Sequence, residues 1–437
     1  MKLVKMSLAA AMLMGASAYA VENINIYGEA KLWYQTTESN SIDLNPGTQG
    51  DFFEQGNAVD GTTGTSTGAG SAILGATADL TKSIKGTIEM SVFDTLGLEN
   101  NLVSMIPSNI SGAASVAQAL ETQAWASQAN IAVTLGKTTA VLGRQELDTP
   151  LAFTEKWNAT KNTFDAAVIV NSDIPDTTLV GAWVGKENSA WGGTVNYDGK
   201  FNTYGSSLNG AGLFTNASDT ADGAYALGAV YAGLKGNTFQ GWYYNVRDLA
   251  VAYWLQADGK FPLDDSMAIS YGVQYADMSP DATALKDSDA YALKVGFDVA
   301  GVHMFAAYSD VSEGTLGFSN VTTQDKTKLY TGTASIYADG THVAAPDTTA
   351  YKLGVKYTVA DIKLGASYTS AENDGNIAAG GSTAASYDLT AWDLTAATTV
   401  AGIGVKAIYT QAEKDFYGNS ASSWDFDALR VILTAKF

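Results

Sequence analysis

YKLGVKYTVADIKLGASYTS, residues 351–370, decides the fold. Tyr351, Leu353, Val355, Tyr357 and Val359 alternate with Lys352, Gly354, Lys356 and Thr358. After the short connection Ala360-Asp361, Ile362, Leu364, Ala366 and Tyr368 alternate with Lys363, Gly365, Ser367 and Thr369. Successive side chains of a strand point to opposite faces. Each strand therefore has one uncharged face capped by tyrosine and one face of lysine, serine and glycine. The same period appears at the start of the chain, where Ile24, Ile26, Gly28, Ala30, Leu32 and Tyr34 alternate with Asn25, Tyr27, Glu29, Lys31, Trp33 and Gln35. It returns from Tyr291 to Val299, from Val302 to Tyr308 and from Ile403 to Tyr409. Half-buried soluble strands also alternate, but they usually run about 5–6 residues, and many of these run about 9–11, the membrane-crossing length. Aromatics at both ends of the apolar face match an interfacial girdle.

The connections alternate in length. Long ones fall near 37–71, 96–127, 148–162, 187–222, 312–347, 372–384 and 413–424. Short ones fall near Ser83–Lys85, Lys137–Thr138, Gly236, Ala300–Gly301, Ala360–Asp361 and Val400–Gly402. Those near Arg247 and Pro280 should be long but read short. Long extracellular loops and short periplasmic turns are the signature of an all-β transmembrane barrel, antiparallel and up-and-down, here of about 18 strands. All seven prolines fall in proposed loops or turns, as a closed sheet without edges requires.

Composition agrees. Charged residues are 16% of the 437, against roughly 25% in a usual soluble domain. Zero cysteines exclude disulfide frameworks and thiolate chemistry, and two histidines argue against a His-rich metal site. At a formal charge of -20, nucleic-acid binding is disfavoured. Lys2, Lys5, the apolar run Met6–Met14 and the small residues ending Ala18-Tyr19-Ala20 read as a secretory leader over 1–20. The barrel then occupies 21–437. Cleavage removes the two lysines and takes the charge to -22. No segment has 18 consecutive apolar residues, so no helix spans a membrane. The glycine-rich run Gly61–Gly70 lacks the strand–helix context of a phosphate loop and reads as a flexible loop. Ala113–Trp125 reads as a short loop helix.

The last strand carries Leu429, Val431, Leu433, Ala435 and Phe437 on one face. Leu142-Gly-Arg-Gln-Glu-Leu-Asp-Thr-Pro150 leaves the fifth strand for the third loop. The leader, this segment and the terminal Phe437 together resemble the major outer-membrane porins of epsilonproteobacteria, an 18-stranded family. The segment covers about ten residues; the barrel periodicity covers the mature chain. The resemblance implies a third loop, near 148–162, that folds inward and narrows the pore. It also implies a homotrimer, and a terminal Phe437 read by the barrel-assembly machinery. Some members hold a calcium ion near the constriction; no ligand set here matches residue by residue, so no metal or cofactor is assigned.

Glu146, Asp148 and Glu155 are the expected acids of the constriction. For Glu146 and Asp148 the plainer alternative is solvation and turn capping ahead of Pro150. Arg144, Lys352, Lys356, Lys363, Lys406 and Arg430 are the expected pore-lining bases, and across a narrow point they would set up a transverse field. The plainer alternative is that they hydrate the lumen. His303 reads as a lumen histidine and His342 as a solvated loop histidine; no nucleophile motif accompanies either, so no enzyme is expected. The expectation is an outer-membrane porin of a Gram-negative cell, set among lipid and lipopolysaccharide. It would pass ions and small hydrophilic solutes by passive diffusion, with mild cation preference. The alternatives are a substrate-selective channel and a structural or adhesive surface barrel acting through its loops.

Overall fold

The computed structural model describes residues 22–39, 50–53, 65–94, 123–188, 223–247, 250–283, 285–321, 323, 326–333, 340–375, 386–417 and 423–437. The leader over 1–20 and the helix expected near Ala113 lie outside them.

Eighteen strands form one sheet. They are β1 (Glu22–Ser39), β2 (Ser66–Thr81), β3 (Ile84–Asp94), β4 (Gln123–Leu135), β5 (Thr138–Gln145) and β6 (Thr163–Asn171). Next come β7 (Thr177–Asn188), β8 (Ala224–Tyr231), β9 (Asn237–Val246), β10 (Ala250–Pro262), β11 (Met267–Pro280) and β12 (Ser288–Val299). The last six are β13 (Val302–Val311), β14 (Thr348–Val359), β15 (Ile362–Asn373), β16 (Tyr387–Val400), β17 (Ile403–Phe416) and β18 (Trp424–Lys436). A single helical turn, α1 (Gly340–Val343), precedes β14. Among the described residues no helix is long and apolar enough to cross a membrane. Part of the run expected as a loop, Ser66–Gly70, is the first turn-free stretch of β2.

Each strand pairs antiparallel with its sequence neighbours, and β1 pairs with β18 from Glu29↔Lys436 to Ser39↔Phe426. The sheet is a closed barrel. At the seam Gly28 and Phe437 exchange backbone hydrogen bonds, N to O, at 2.8 and 3.1 Å. The Phe437 ring covers Gly28, where a Cβ would lie 2.3 Å from it. Two of the two-residue turns have positive φ at both central residues, Ala300-Gly301 (48° and 83°) and Ala401-Gly402 (50° and 83°). That geometry matches the twist of antiparallel strands.

The outer face is the one expected. Leu353, Val295 and Leu227 are 58%, 60% and 61% exposed. Near the loop end, outward aromatics pair across strands: Tyr275 with Tyr291, Tyr308 with Tyr351 and Tyr368 with Trp392, at centroid separations of 5.1, 5.1 and 4.7 Å. Tyr231–Phe239 and Phe261–Tyr271 stack near the turn end. Inside, the wall has two zones. Toward the loop end it carries buried aromatics, Trp33, Trp242, Tyr244, Trp254, Tyr387 and Trp424. Toward the turn end it carries charged and polar residues.

The phase of β14 makes a sharp test. Leu353→Arg, outward at mid-strand, should cost about 2–4 kcal/mol of folding stability in a bilayer. Thr358→Arg, inward near the turn, should change it little. Denaturant titration in lipid vesicles measures both; a larger loss for Thr358→Arg than for Leu353→Arg would mean that the faces are inverted.

Candidate functional site

Two loops fold back into the barrel. The third runs from Glu146 to Asn162. A tight reversal opens it: Thr154 N–H donates to Leu147 O at 2.7 Å, and the Thr149 hydroxyl donates to Ala152 O at 2.8 Å. Its tip, Leu151, packs against the β9–β10 wall beside Trp242 and Trp254. Its return leg buries Ala159 among Trp33, Ala69 and Phe93 on β1–β3. There Ser71 and Lys31 donate to the carbonyls of Ala159 and Asn158 at 2.7 and 3.1 Å. The loop thus reaches from the β9–β10 wall to the β1–β3 wall.

The second is the loop between β13 and β14. Phe318, Leu329 and Ala344 pack on the inner wall of β10–β12. Val343, on α1, packs on Ala350, Tyr387, Ile408 and Phe426. The sequence marked 312–347 only as a long loop. Its infolding went unread because its contacts are non-local and its backbone has no period.

The loops clasp each other at Glu155. Its carboxylate accepts from Trp157 Nε1 at 2.6 Å, from Asn320 Nδ2 at 2.8 Å and from the Thr323 hydroxyl. Val321 N–H donates to Leu151 O at 2.9 Å, and Lys328 pairs with Asp148 at 2.8 Å. Glu155 was expected to face the pore. It is instead 3% exposed, because the two loops close over it. Burial pushes its carboxyl up, although the donors from Thr323, Trp157 and Asn320 oppose that shift.

The other expected acids are partnered too. Glu146 lies 2.5 Å from both Lys156 and Lys161, and Lys161 reaches Glu89 on β3 at 2.9 Å. Burial raises the Glu146 carboxyl, but Lys156 and Lys161 overcome it and hold the group below the usual range. Burial likewise lowers Lys161, and Glu146 with Glu89 outweighs it, so the ammonium is held above its usual value. Asp148 is largely exposed.

Arg144 is a correction. It does not line the pore. It shares the outward face with Leu142 and Ile169, 66% and 50% exposed. There it forms an ion pair with Asp165 (Nε–Oδ1 2.8 Å) and donates to Ala126 O at 2.7 Å. The twist at Gly143 (φ 118°) and the start of the loop hid the strand's phase. His342, expected in solvent, is 8% exposed.

Lys352, Lys356, Lys363, Lys406 and Arg430 all sit on the inward face of their strands. Lys352 donates to Gly332 O of the infolded loop. Arg430 is buried, with its guanidinium 4.5 Å from the Trp33 ring and 5.3 Å from that of Trp157, and it donates to Gln35 Oε1 at 2.6 and 3.0 Å. Only Lys356, Lys363 and Lys406 stay open to the lumen. The same alternation adds Lys260 and Lys294, which were not singled out. They join His303, Phe305 and Lys356 around a recess of about 370 Å³. Asp258 lines it, and Asp298 pairs with its bases: Lys260 and His303 reach Asp298 at 2.9 and 2.8 Å, and Lys294 reaches Asp258 at 3.5 Å. From β10 to β17 the inward charges are therefore mostly lysine. Many acids lie instead on the outward face at the loop end, where Asp277↔Asp289, Glu372↔Asp388, Asp388↔Asp415 and Glu413↔Asp425 stand directly opposite one another. Among the described residues no group of His, Cys, Asp and Glu could hold a metal ion.

The closed 18-stranded barrel is shared with solved structures. Acinetobacter baumannii OccAB3 superposes with a TM-score of 0.71 and 15% identity over 94% of this chain and 100% of that one. Pseudomonas aeruginosa OccK9 (OpdG) gives 0.70 and 12% over 95% and 99%. A BenF-like porin from Pseudomonas fluorescens gives 0.68 and 13%, also over 95% and 99%. At these identities the likeness is one of fold. No protein-family model and no curated protein matches the chain. The narrower epsilonproteobacterial resemblance rests on the leader, residues 142–150 and Phe437.

Glu155→Ala removes the acceptor that Trp157, Asn320 and Thr323 share, and losing it should cost about 1–3 kcal/mol. The clasp should open without loss of the barrel. Single-channel records should show a noisier open level while heat-modifiability is kept; a wild-type trace would remove Glu155 from the clasp.

Proposed function

We propose that the chain is an outer-membrane channel through which ions and small hydrophilic solutes diffuse passively. One observation carries the reading: an apolar, aromatic-bounded band outside encloses a charged, lysine-rich wall inside. Such a wall suits lipid on one side and water on the other. No chemistry is required of it, and no enzymatic role is proposed. The loop end faces the exterior, where the outward acids meet the headgroups of lipid and lipopolysaccharide. A homotrimer, and recognition of Phe437 during assembly, belong to the same reading.

The mild cation preference expected from the net charge has a competitor. Screening limits an exposed charge to about 8–10 Å at physiological salt, so a permeating ion feels the wall beside it. That wall, between β10 and β17, favours anions. Two infolded loops and the Lys260–Lys294–Lys356 recess also favour a channel that discriminates among solutes over a structural or adhesive barrel.

Reversal potential across a planar bilayer under a salt gradient tests this. An anion-signed potential is expected, and replacing Lys260, Lys294 and Lys356 by Gln should move it by at least several millivolts toward cations, an order-of-magnitude expectation from removing three unit charges beside the path. A cation-signed potential unchanged by the triple variant would return control to the acids of the loops. Absence of conductance from folded protein would favour the structural barrel.

A further inference from the structure

The infolded loop between β13 and β14 is fixed to the wall at one chemically unusual point. α1 presents His342 to the inner face of β16–β18 at the loop end. The imidazole Nδ1 lies 3.0 Å from Lys414 Nζ on β17, and both side chains are buried. Tyr387 on β16 donates its hydroxyl to His342 O at 2.8 Å. The rings of Tyr387 and of Trp424 on β18 meet the imidazole edge-on, each with centroids 6.2 Å apart. Lys414 itself lies 3.6 Å from the centre of the Tyr387 ring and 4.6 Å from that of Phe416. Lys414 and the Tyr387 phenol are the titratable groups that β16 and β17 set against His342 among the described residues, in an aromatic box.

Only the neutral imidazole fits this arrangement. Lys414 can donate to Nδ1 only while that nitrogen keeps its lone pair, which places the ring proton on Nε2. A second proton would set two cations 3.0 Å apart among aromatic rings. We propose that the His342–Lys414 contact is a pH-operated latch: neutral His342 holds the loop flat against the wall and the mouth open, and protonation releases it into the lumen. This rests on the channel reading and names the regulation of its constriction. The released segment stays tethered, by β14 on one side and by the clasp at Glu155 on the other. Off the wall it enters the aqueous path, so acid closes the channel.

The sign follows from linkage. Burial, and then Lys414, hold His342 well below the usual histidine range when docked. Released, it returns to about 6.5. A depressed docked value makes docking strongest above pH 6.5 or so and weaker below it, by about tenfold per pH unit, until the docked value is reached.

The test uses the full refolded chain. In planar bilayers, lowering pH from 7.5 to 5.0 should reduce wild-type open probability severalfold. His342→Gln, whose amide oxygen still accepts from Lys414, should stay open. Lys414→Gln, which removes the repulsion, should shrink the acid response. Hydrogen exchange of the 340–347 segment reads docking without conductance. After correction for intrinsic rates, its protection should fall about fivefold between pH 6.5 and 5.5 in the wild type and hold in His342→Gln. Equal acid responses in wild type and His342→Gln, in either measurement, would overturn the latch. A silent bilayer with pH-dependent exchange would overturn the channel reading and leave the latch standing.

Discussion

Every backbone donor and acceptor of a strand in hydrocarbon must pair with a neighbouring strand, because no water is there to replace it. The pairing of β1 with β18 is therefore the contact on which the rest depends. It removes the last free edge, and its register fixes which side chains face in. A slip of one residue at this seam would turn Lys31 or Arg430 toward lipid and Leu32 or Val431 toward water. Gly28 and Phe437 hold that register: the glycine leaves room for the ring, and the two residues exchange both backbone hydrogen bonds.

Closure also separates the charges. A formal charge of -20 suggests an acidic protein throughout, yet the inner wall from β10 to β17 is dominated by lysine. The acids gather outside, near the loop end, several of them directly opposite one another. Like charges so placed repel, and hydration or counter-ions must offset that. On the membrane reading they lie at headgroup height, where counter-ions are plentiful. Net charge thus describes the rim, and the alternation of single residues describes the pore.

That separation explains what the sequence could and could not show. Period-2 patterning is local, so the 18 strands, their order and the inward set Lys352, Lys356, Lys363, Lys406 and Arg430 were readable from neighbours along the chain. Arg144 was misplaced because β5 is short and twists at Gly143, which leaves too few residues to fix a phase. Glu155 and His342 were misplaced for a different reason. Each lies in a segment without period, and each is buried by a partner far away in sequence: Asn320 for Glu155, and Lys414 for His342. Acidity next to a pore motif suggested a pore-lining acid; contacts at such separation leave no local trace.

One signal for the infolded loops was nevertheless present. In β9 and β10, Trp242, Tyr244 and Trp254 point inward while Tyr243, Tyr253 and Leu255 point outward. Toward the loop end the alternation of apolar with polar thus becomes apolar on both faces. A water-filled lumen gives no reason for an inward tryptophan. A loop that docks there does, since burying an aromatic ring against it is worth about 1.5–3 kcal/mol. Trp424 and Phe426 on β18 show the same departure, and the structure places Val343 and His342 against them. Polar alternation thus marks the open lumen, and its loss on an inward face marks where the chain returns to cover the wall.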